Sequence, residues 1–183
     1  MLLNIPYVQR QLASYLSSEL SDELGSTVEI GNIEVGLFNR IMLENLQLYD
    51  QEDTEMLQVA RMAARFDILP LFQGKISINN IQLYGFDAFL RKENLDSTPN
   101  FQFLLDLLND TASFSLRVNV DTLEMIESRL RYNSLLIDRM NLALKMPIFS
   151  ADSMDITIHN LSMRAKLDQL DAAFEAQLHG GLD

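Results

Sequence analysis

The sequence predicts a mostly β protein of the α+β class: a long, curved, mostly antiparallel sheet forming a groove, with an amphipathic helix at its N-terminal end and one short inserted helix. Three observations carry this. Apolar residues after Gly25 recur with a period of two, which is the period of a strand. One strand-length pattern recurs six times along the chain. Two segments at helical spacing stand apart from it.

The first of those segments opens the chain. Ile5, Val8, Leu12, Tyr15, Leu16, Leu20 and Leu24 recur at three- and four-residue steps and form one apolar stripe. Asn4 suits the cap, Pro6 the first turn, where a missing N–H costs nothing, and Gly25 the left-handed residue that ends a helix. Gln9, Arg10, Ser14, Ser18, Asp22 and Glu23 make the wet face. Residues 1–25 are therefore the helix and residues 26–183 the sheet, within a single domain.

The strands share the order apolar, any, apolar, any, polar, apolar, any, apolar. It occurs as Val28, Ile30, Asn32, Ile33, Val35, as Ile41, Leu43, Asn45, Leu46, Leu48, as Ile76, Ile78, Asn80, Ile81, Leu83, and as Ile156, Ile158, Asn160, Leu161, Met163. Thr122 and Arg139 take the central place in two further copies, Val118 to Met125 and Leu135 to Leu142. The alternation slips by one residue at each centre, and an uncorrected slip would send half the apolar side chains to the other face. A β-bulge absorbs the extra residue, and Asn tolerates the left-handed backbone a bulge requires. Asn32, Asn45, Asn80 and Asn160 are the expected bulges. A tight turn at each is the alternative, which would leave four-residue strands that bury little.

Between the copies, Met56, Ala60, Met62, Ala64, Phe66 and Ile68 share one parity against Arg61, Arg65 and Asp67, a strand with one apolar and one partly charged face. Leu69 to Gly74 make an apolar turn around Pro70, which cannot donate to a ladder. Phe101, Leu104, Leu105 and Leu108 mark the inserted helix near 100–109, with Asn100 as its cap. Leu170 to Leu178 reads as strand or helix, with strand preferred.

The chain has 183 residues, 48% of them hydrophobic, enough for a sizeable core. It has no Cys, which excludes disulfides, thiolate metal sites and a cysteine nucleophile and leaves the redox compartment open. The net charge is −12. Residues 1–92 carry 7 basic and 12 acidic side chains (−5), and residues 93–183 carry 7 and 14 (−7), so no basic lobe exists to neutralise nucleic-acid phosphates. No apolar run approaches the roughly 20 residues of a membrane-spanning helix.

Catalytic templates fail on inventory. The two histidines are His159, inside a strand copy, and His179, beside Gly180 and Gly181. There is no G-x-S-x-G elbow, and Gly31 and Gly36 belong to no phosphate-binding loop. Asp50, Glu52, Asp53 and Glu55 are the densest carboxylates, yet they lack the oxygen spacing and central glycine of an EF-hand loop and suit a solvated turn. Asp152 with Asp155 is a still weaker metal candidate. The expectation is a protein that is not an enzyme and has no cofactor. Two accounts of the apolar faces stay open: an ordinary sheet-and-helix core, or a groove open along the sheet that takes acyl chains or apolar protein segments. In the second, Ile30, Val35, Leu43, Leu48, Ile78 and Leu83 are the groove-facing candidates.

The segments Leu3-Asn4-Ile5-Pro6-Tyr7-Val8-Gln9, Gly25 to Ile33 and Gly36-Leu37-Phe38-Asn39 resemble the N-terminal region of TamB-like proteins of the AsmA superfamily, in the form found in Bacteroidetes. Leu46 to Asp50 with Asp53-Thr54 is similar to that family's second strand and acidic turn, and Asn100-Phe101-Gln102-Phe103 to its inserted helix. The resemblance spans residues 3–110, and the strand pattern extends it to about 166. It implies a periplasmic β-sheet groove (a β-taco), anchored in the inner membrane by a helix upstream of this chain, with Met1-Leu2-Leu3 as its stub or a start. It also implies movement of phospholipid between inner and outer membranes, or assembly of outer-membrane β-barrel proteins and protein secretion, without catalytic residues. Phospholipid acyl chains and an outer-membrane assembly protein are the implied partners. On this reading the chain is a slice of a longer protein, since Leu182-Asp183 carries no closing signal.

Overall fold

The computed structural model describes residues 6–36, 39–66, 76–94, 96–109, 118–149, 154–167 and 170–172. Helix α1 (Pro6–Leu24) is followed by strands β1 (Val28–Val35), β2 (Arg40–Tyr49), β3 (Glu55–Phe66) and β4 (Ile76–Leu90), helix α2 (Gln102–Asn109), and β5 (Val118–Tyr132), β6 (Leu135–Phe149), β7 (Met154–Leu167) and β8 (Leu170–Ala172). The strands form one open sheet in chain order, β1 to β8.

All neighbouring pairs are antiparallel except β4 and β5, which run parallel. The sheet is therefore mostly antiparallel, as the strand patterns suggest, with one parallel pair that the alternation inside each strand does not reveal. The reason is the segment between β4 and β5: parallel neighbours need a crossover, and α2 lies in it.

Both helices pack on one side. α1 ends as expected, with Gly25 at φ 60° and Ser26 N–H donating to Ser21 O at 3.2 Å, the pattern of a Schellman cap. Its core stripe is Leu12, Ala13, Leu16, Leu20 and Leu24, which meet Val28, Ile30, Ile33, Leu48 and Met56. Tyr15, expected in that stripe, is 59% exposed, and the face that α1 turns to the core is the narrower one of Leu12, Ala13, Leu16, Leu20 and Leu24. Phe101, Phe103 and Leu104 bring α2 onto the same cluster. Asn100 does not cap α2. Its Oδ1 accepts from Arg91 N–H at 2.9 Å and its Nδ2 donates to Phe89 O at 3.0 Å, tying the loop to β4.

α1 also closes the sheet's first edge. Val28 N–H donates to Ser21 Oγ at 2.8 Å and Ile30 N–H to Ser17 Oγ at 3.0 Å. A helical step of four residues and a strand step of two cover nearly the same distance, about 6–7 Å, so two serines one turn apart satisfy successive outward amides. An edge that would otherwise recruit a foreign strand is covered.

Candidate functional site

The register sorts the side chains into two faces. Partners across the strands run Ile33, Leu43, Met62, Leu83, Met125, Leu142 and Leu161 in one row, and Val35, Ile41, Ala64, Ile81, Leu123, Leu144 and Ile158 in the next. A third row is Val28, Leu48, Leu57, Ala88, Leu130, Ile137 and Ala165. None of these residues is charged. The opposite face carries Glu29, Gln47, Gln58, Asp87 and Arg129 in one row and Arg40, Arg65, Asn80, Thr122, Lys145 and Thr157 in another.

Keeping one face apolar across the parity slips requires an extra residue in each strand, and the extra residues line up. Gly31, Asn45, Ala60 and Gly85 fall between the paired residues of β1, β2, β3 and β4, one skipped on each strand, so the ladder resumes in register. Asn45 has φ 53°, Gly85 φ 61°, Glu127 on β5 φ 50° and Arg139 on β6 φ 52°. The result is a crease crossing the sheet. At Gly31 a Cβ would stand 3.1 Å from Asn45 Cβ and 3.2 Å from Glu44 O, so a larger residue there would have to push its neighbours aside by a few tenths of an ångström.

The four expected bulge sites divide accordingly. Asn45 lies on the crease with the left-handed backbone. Asn32 is paired with Glu44, and the extra residue in β1 is its neighbour Gly31. Near Asn80 the register shifts between Arg65 and Phe66, with Asn79 the extra residue. Near Asn160 it shifts between Ala143 and Leu144, with His159 the extra residue. Gly85 and Glu127 carry no repeat copy at their centres. Leu83 followed by Phe86 and Ala88 is the parity slip that betrays Gly85, and Ser128 breaks the corresponding signal in β5.

The groove-facing candidates also divide. Ile30 (8% exposed) and Leu48 (7%) are buried in the core cluster under α1, and Val35 and Leu43 pack against it. Leu83 lies beyond the helices, half-buried, in the row with Met125, Leu142 and Leu161. Ile78 pairs with Phe66 and Val120, and its side chain lies outside the described residues. Met56 is fully buried with the helix-side core, because the register shift between Leu48 and Tyr49 turns both Met56 and Leu57 inward, against the parity expected for β3. Ala60, expected on the apolar face, is exposed at the crease.

The acidic turn has a structural occupation. Asp50 is 2% exposed. Its Oδ1 accepts from Glu52 N–H and Thr54 N–H, both at 3.0 Å, and its Oδ2 accepts from Arg91 Nη2 at 3.2 Å and Asn100 Nδ2 at 3.4 Å. Glu52 takes the same Arg91 nitrogen at 2.6 Å. The carboxylate thus knots the β2–β3 turn to the loop after β4. Among the described residues no group of three or more His, Asp or Glu side chains is placed to hold a metal ion. His159 is exposed on β7, while His179 and Asp152 lie outside the described residues, as does the side chain of Asp155. Among the described residues no helix is long and apolar enough to cross a membrane.

Beside this knot, at the rim where three turns meet, is a cleft of about 440 Å³ bordered by Glu55, Phe89, Arg91, Asn100, Arg131 and Asn133. Arg131 lies over the Phe89 ring, 4.3 Å from its centroid. Burial, reinforced by the Glu29 and Glu55 carboxylates, pushes the neighbouring Tyr49 hydroxyl above its usual range. Comparison with protein-family models and with curated proteins finds no match to this chain.

Proposed function

We propose that this chain is a non-enzymatic part of a lipid-carrying groove, in which the apolar face of the sheet takes phospholipid acyl chains. One observation carries the reading: the uncharged rows continue across β4 to β7, while among the described residues the buried sheet members of the cluster beneath α1 come from β1, β2 and β3. Strands about 4.8 Å apart give this face a run of roughly 30 Å from β1 to β7, an area suited to aliphatic chains and costly to leave in water. Periplasmic placement next to the inner membrane, with transfer towards the outer membrane, rests on the TamB-like resemblance described above.

Photocrosslinkers at Leu83, Leu123 and Leu142, in the full chain mixed with phospholipid vesicles, should capture lipid well above crosslinkers at Gln82, Glu124 and Asn160 on the other face. Equal capture at the two sets would overturn the reading. A scaffold that adds client strands, including those of outer-membrane barrel proteins, is the second reading. Its support is the asymmetry of the edges: serines cap β1, whereas among the described residues no strand faces Met154–Arg164 of β7 on its outer side. Recovery of a barrel client by the lipid-depleted chain, abolished by proline within β7, would favour it.

A further inference from the structure

We infer that the rim cleft binds a small zwitterion, its phosphate on Arg131 and its ammonium on Glu55. This inference stands on the cleft alone and holds whether or not the apolar face carries lipid.

Most of the cleft's polar groups are already occupied. Both ends of the Asn100 amide are used by Arg91 N–H and Phe89 O. Asn133 is used likewise, accepting from Lys92 N–H at 3.0 Å and donating to Lys92 O at 3.1 Å. Arg91 spends its Nη2 on Asp50 and Glu52. These bonds hold the walls in place; the Arg91 charge is matched by two carboxylates, and Arg131 and Glu55 are the less engaged charged groups at the rim.

Arg131 is one. Its nearest carboxylate oxygen, Asp87 Oδ2, is 3.6 Å away, beyond hydrogen-bond length, and is shared with Arg129 at 3.5 Å. Its side chain is 41% exposed and its guanidinium sits over the Phe89 ring, with N–H groups that, among the described residues, are not engaged at hydrogen-bond distance. Glu55 is the other. Its Oε2 accepts from Gln47 Nε2 at 2.9 Å, and among the described residues its Oε1 takes no hydrogen bond.

Glu55 is on β3 and Arg131 on β5, with Phe89 of β4 between them, so the backbones that carry the two charges stand about 10 Å apart. Both residues border the cleft, and a phosphate and a primary ammonium on a short tether suit a separation of this size. A plain anion would meet Glu55, and a plain cation would meet Arg131. Opposite charges on one ligand satisfy both, and the cleft's size lies in the range of small-ligand sites.

The test is calorimetric titration of the full chain with O-phosphoethanolamine, inorganic phosphate and ethanolamine. O-phosphoethanolamine should bind at least tenfold more tightly than either single-charge probe. Glu55→Gln and Arg131→Gln should each remove that advantage, with melting curves verifying the fold, and Arg131→Lys should lose most of it while keeping the charge and the stem. Phosphate binding as tightly as O-phosphoethanolamine, no binding of any probe, or indifference to Glu55→Gln would each overturn the inference. Extra retention on phosphatidylethanolamine over phosphatidylcholine vesicles would assign the ligand as a lipid head group. Equal retention with tight binding of the free probe would assign a soluble zwitterion.

Discussion

Replacing Asp50 by alanine tests whether the buried carboxylate, rather than the acidic turn as a whole, holds the rim together. Four donors lose their acceptor: two turn amides at 3.0 Å, Arg91 at 3.2 Å and Asn100 at 3.4 Å. A hydrogen bond to a charged group contributes about 1.5–3 kcal/mol, and breaking a fully buried ion pair costs about 3–5 kcal/mol. Here the losses are softened. Glu52 and Thr54 are exposed, so their amides rehydrate; the Arg91 side chain is 41% exposed and keeps Glu52; Asn100 keeps Phe89 O. The expected loss is about 3 kcal/mol for Asp50→Ala. Asp50→Asn keeps an oxygen for the two amides but turns its NH2 towards Arg91 Nη2 and Asn100 Nδ2, which are both donors, and should cost about 2 kcal/mol. With a urea m-value near 2 kcal/mol/M, the midpoints fall by about 1.5 M and 1 M. Glu52→Ala removes only an exposed pair and should move the midpoint by less than about 0.3 M. Urea unfolding followed by circular dichroism gives all three. A Glu52→Ala shift as large as that of Asp50→Ala would refute the reasoning, since burial would then be irrelevant.

Removing both edge caps, Ser17→Ala with Ser21→Ala, should cost about 1 kcal/mol per lost bond and open the β1 edge; light scattering of the double variant should rise with concentration while the wild type stays constant. At the crease, Asn45→Val puts a β-branched residue at φ 53° and should lower stability by about 1–2 kcal/mol in a thermal melt, whereas Asn45→Gly should be neutral or stabilising. Asp138 is pushed up by burial, but hydrogen bonding and charge from Arg129, helped by Arg139, outweigh this and hold its carboxyl below the usual range. A depressed folded-state pKa means that the stabilisation is present above the unfolded carboxylate pKa and is lost as pH falls through the folded value. The stability gap between wild type and Asp138→Asn should therefore narrow on acidification below pH 4, and a gap that widened would contradict the pairing.

What the sequence revealed about this fold follows from which physical signals are local. The helix and strands of the first 50 residues were legible because Leu12, Leu16, Leu20 and Leu24 keep one period and Val28 to Leu48 keep another, and each needs only its near neighbours. The parity slips were legible too, but their meaning was not. A slip in one strand reads as a bulge, which opposes two residues to one; when Gly31, Asn45, Ala60 and Gly85 carry the same slip side by side, no strand is longer than its partner and the sheet bends as a unit. That distinction exists only across strands. The parallel β4–β5 pair was hidden for a similar reason, since strand direction depends on the path through α2 rather than on the alternation inside either strand. The groove candidates followed the same logic. Leu48 and Leu83 have equivalent places in the repeat, yet one lies in the core cluster beneath the helices and the other beyond it, a difference set by where a helix of 19 residues reaches. The rim cleft left no local trace, because Glu55, Phe89 and Arg131 come from three strands and meet only when the register of all three is known.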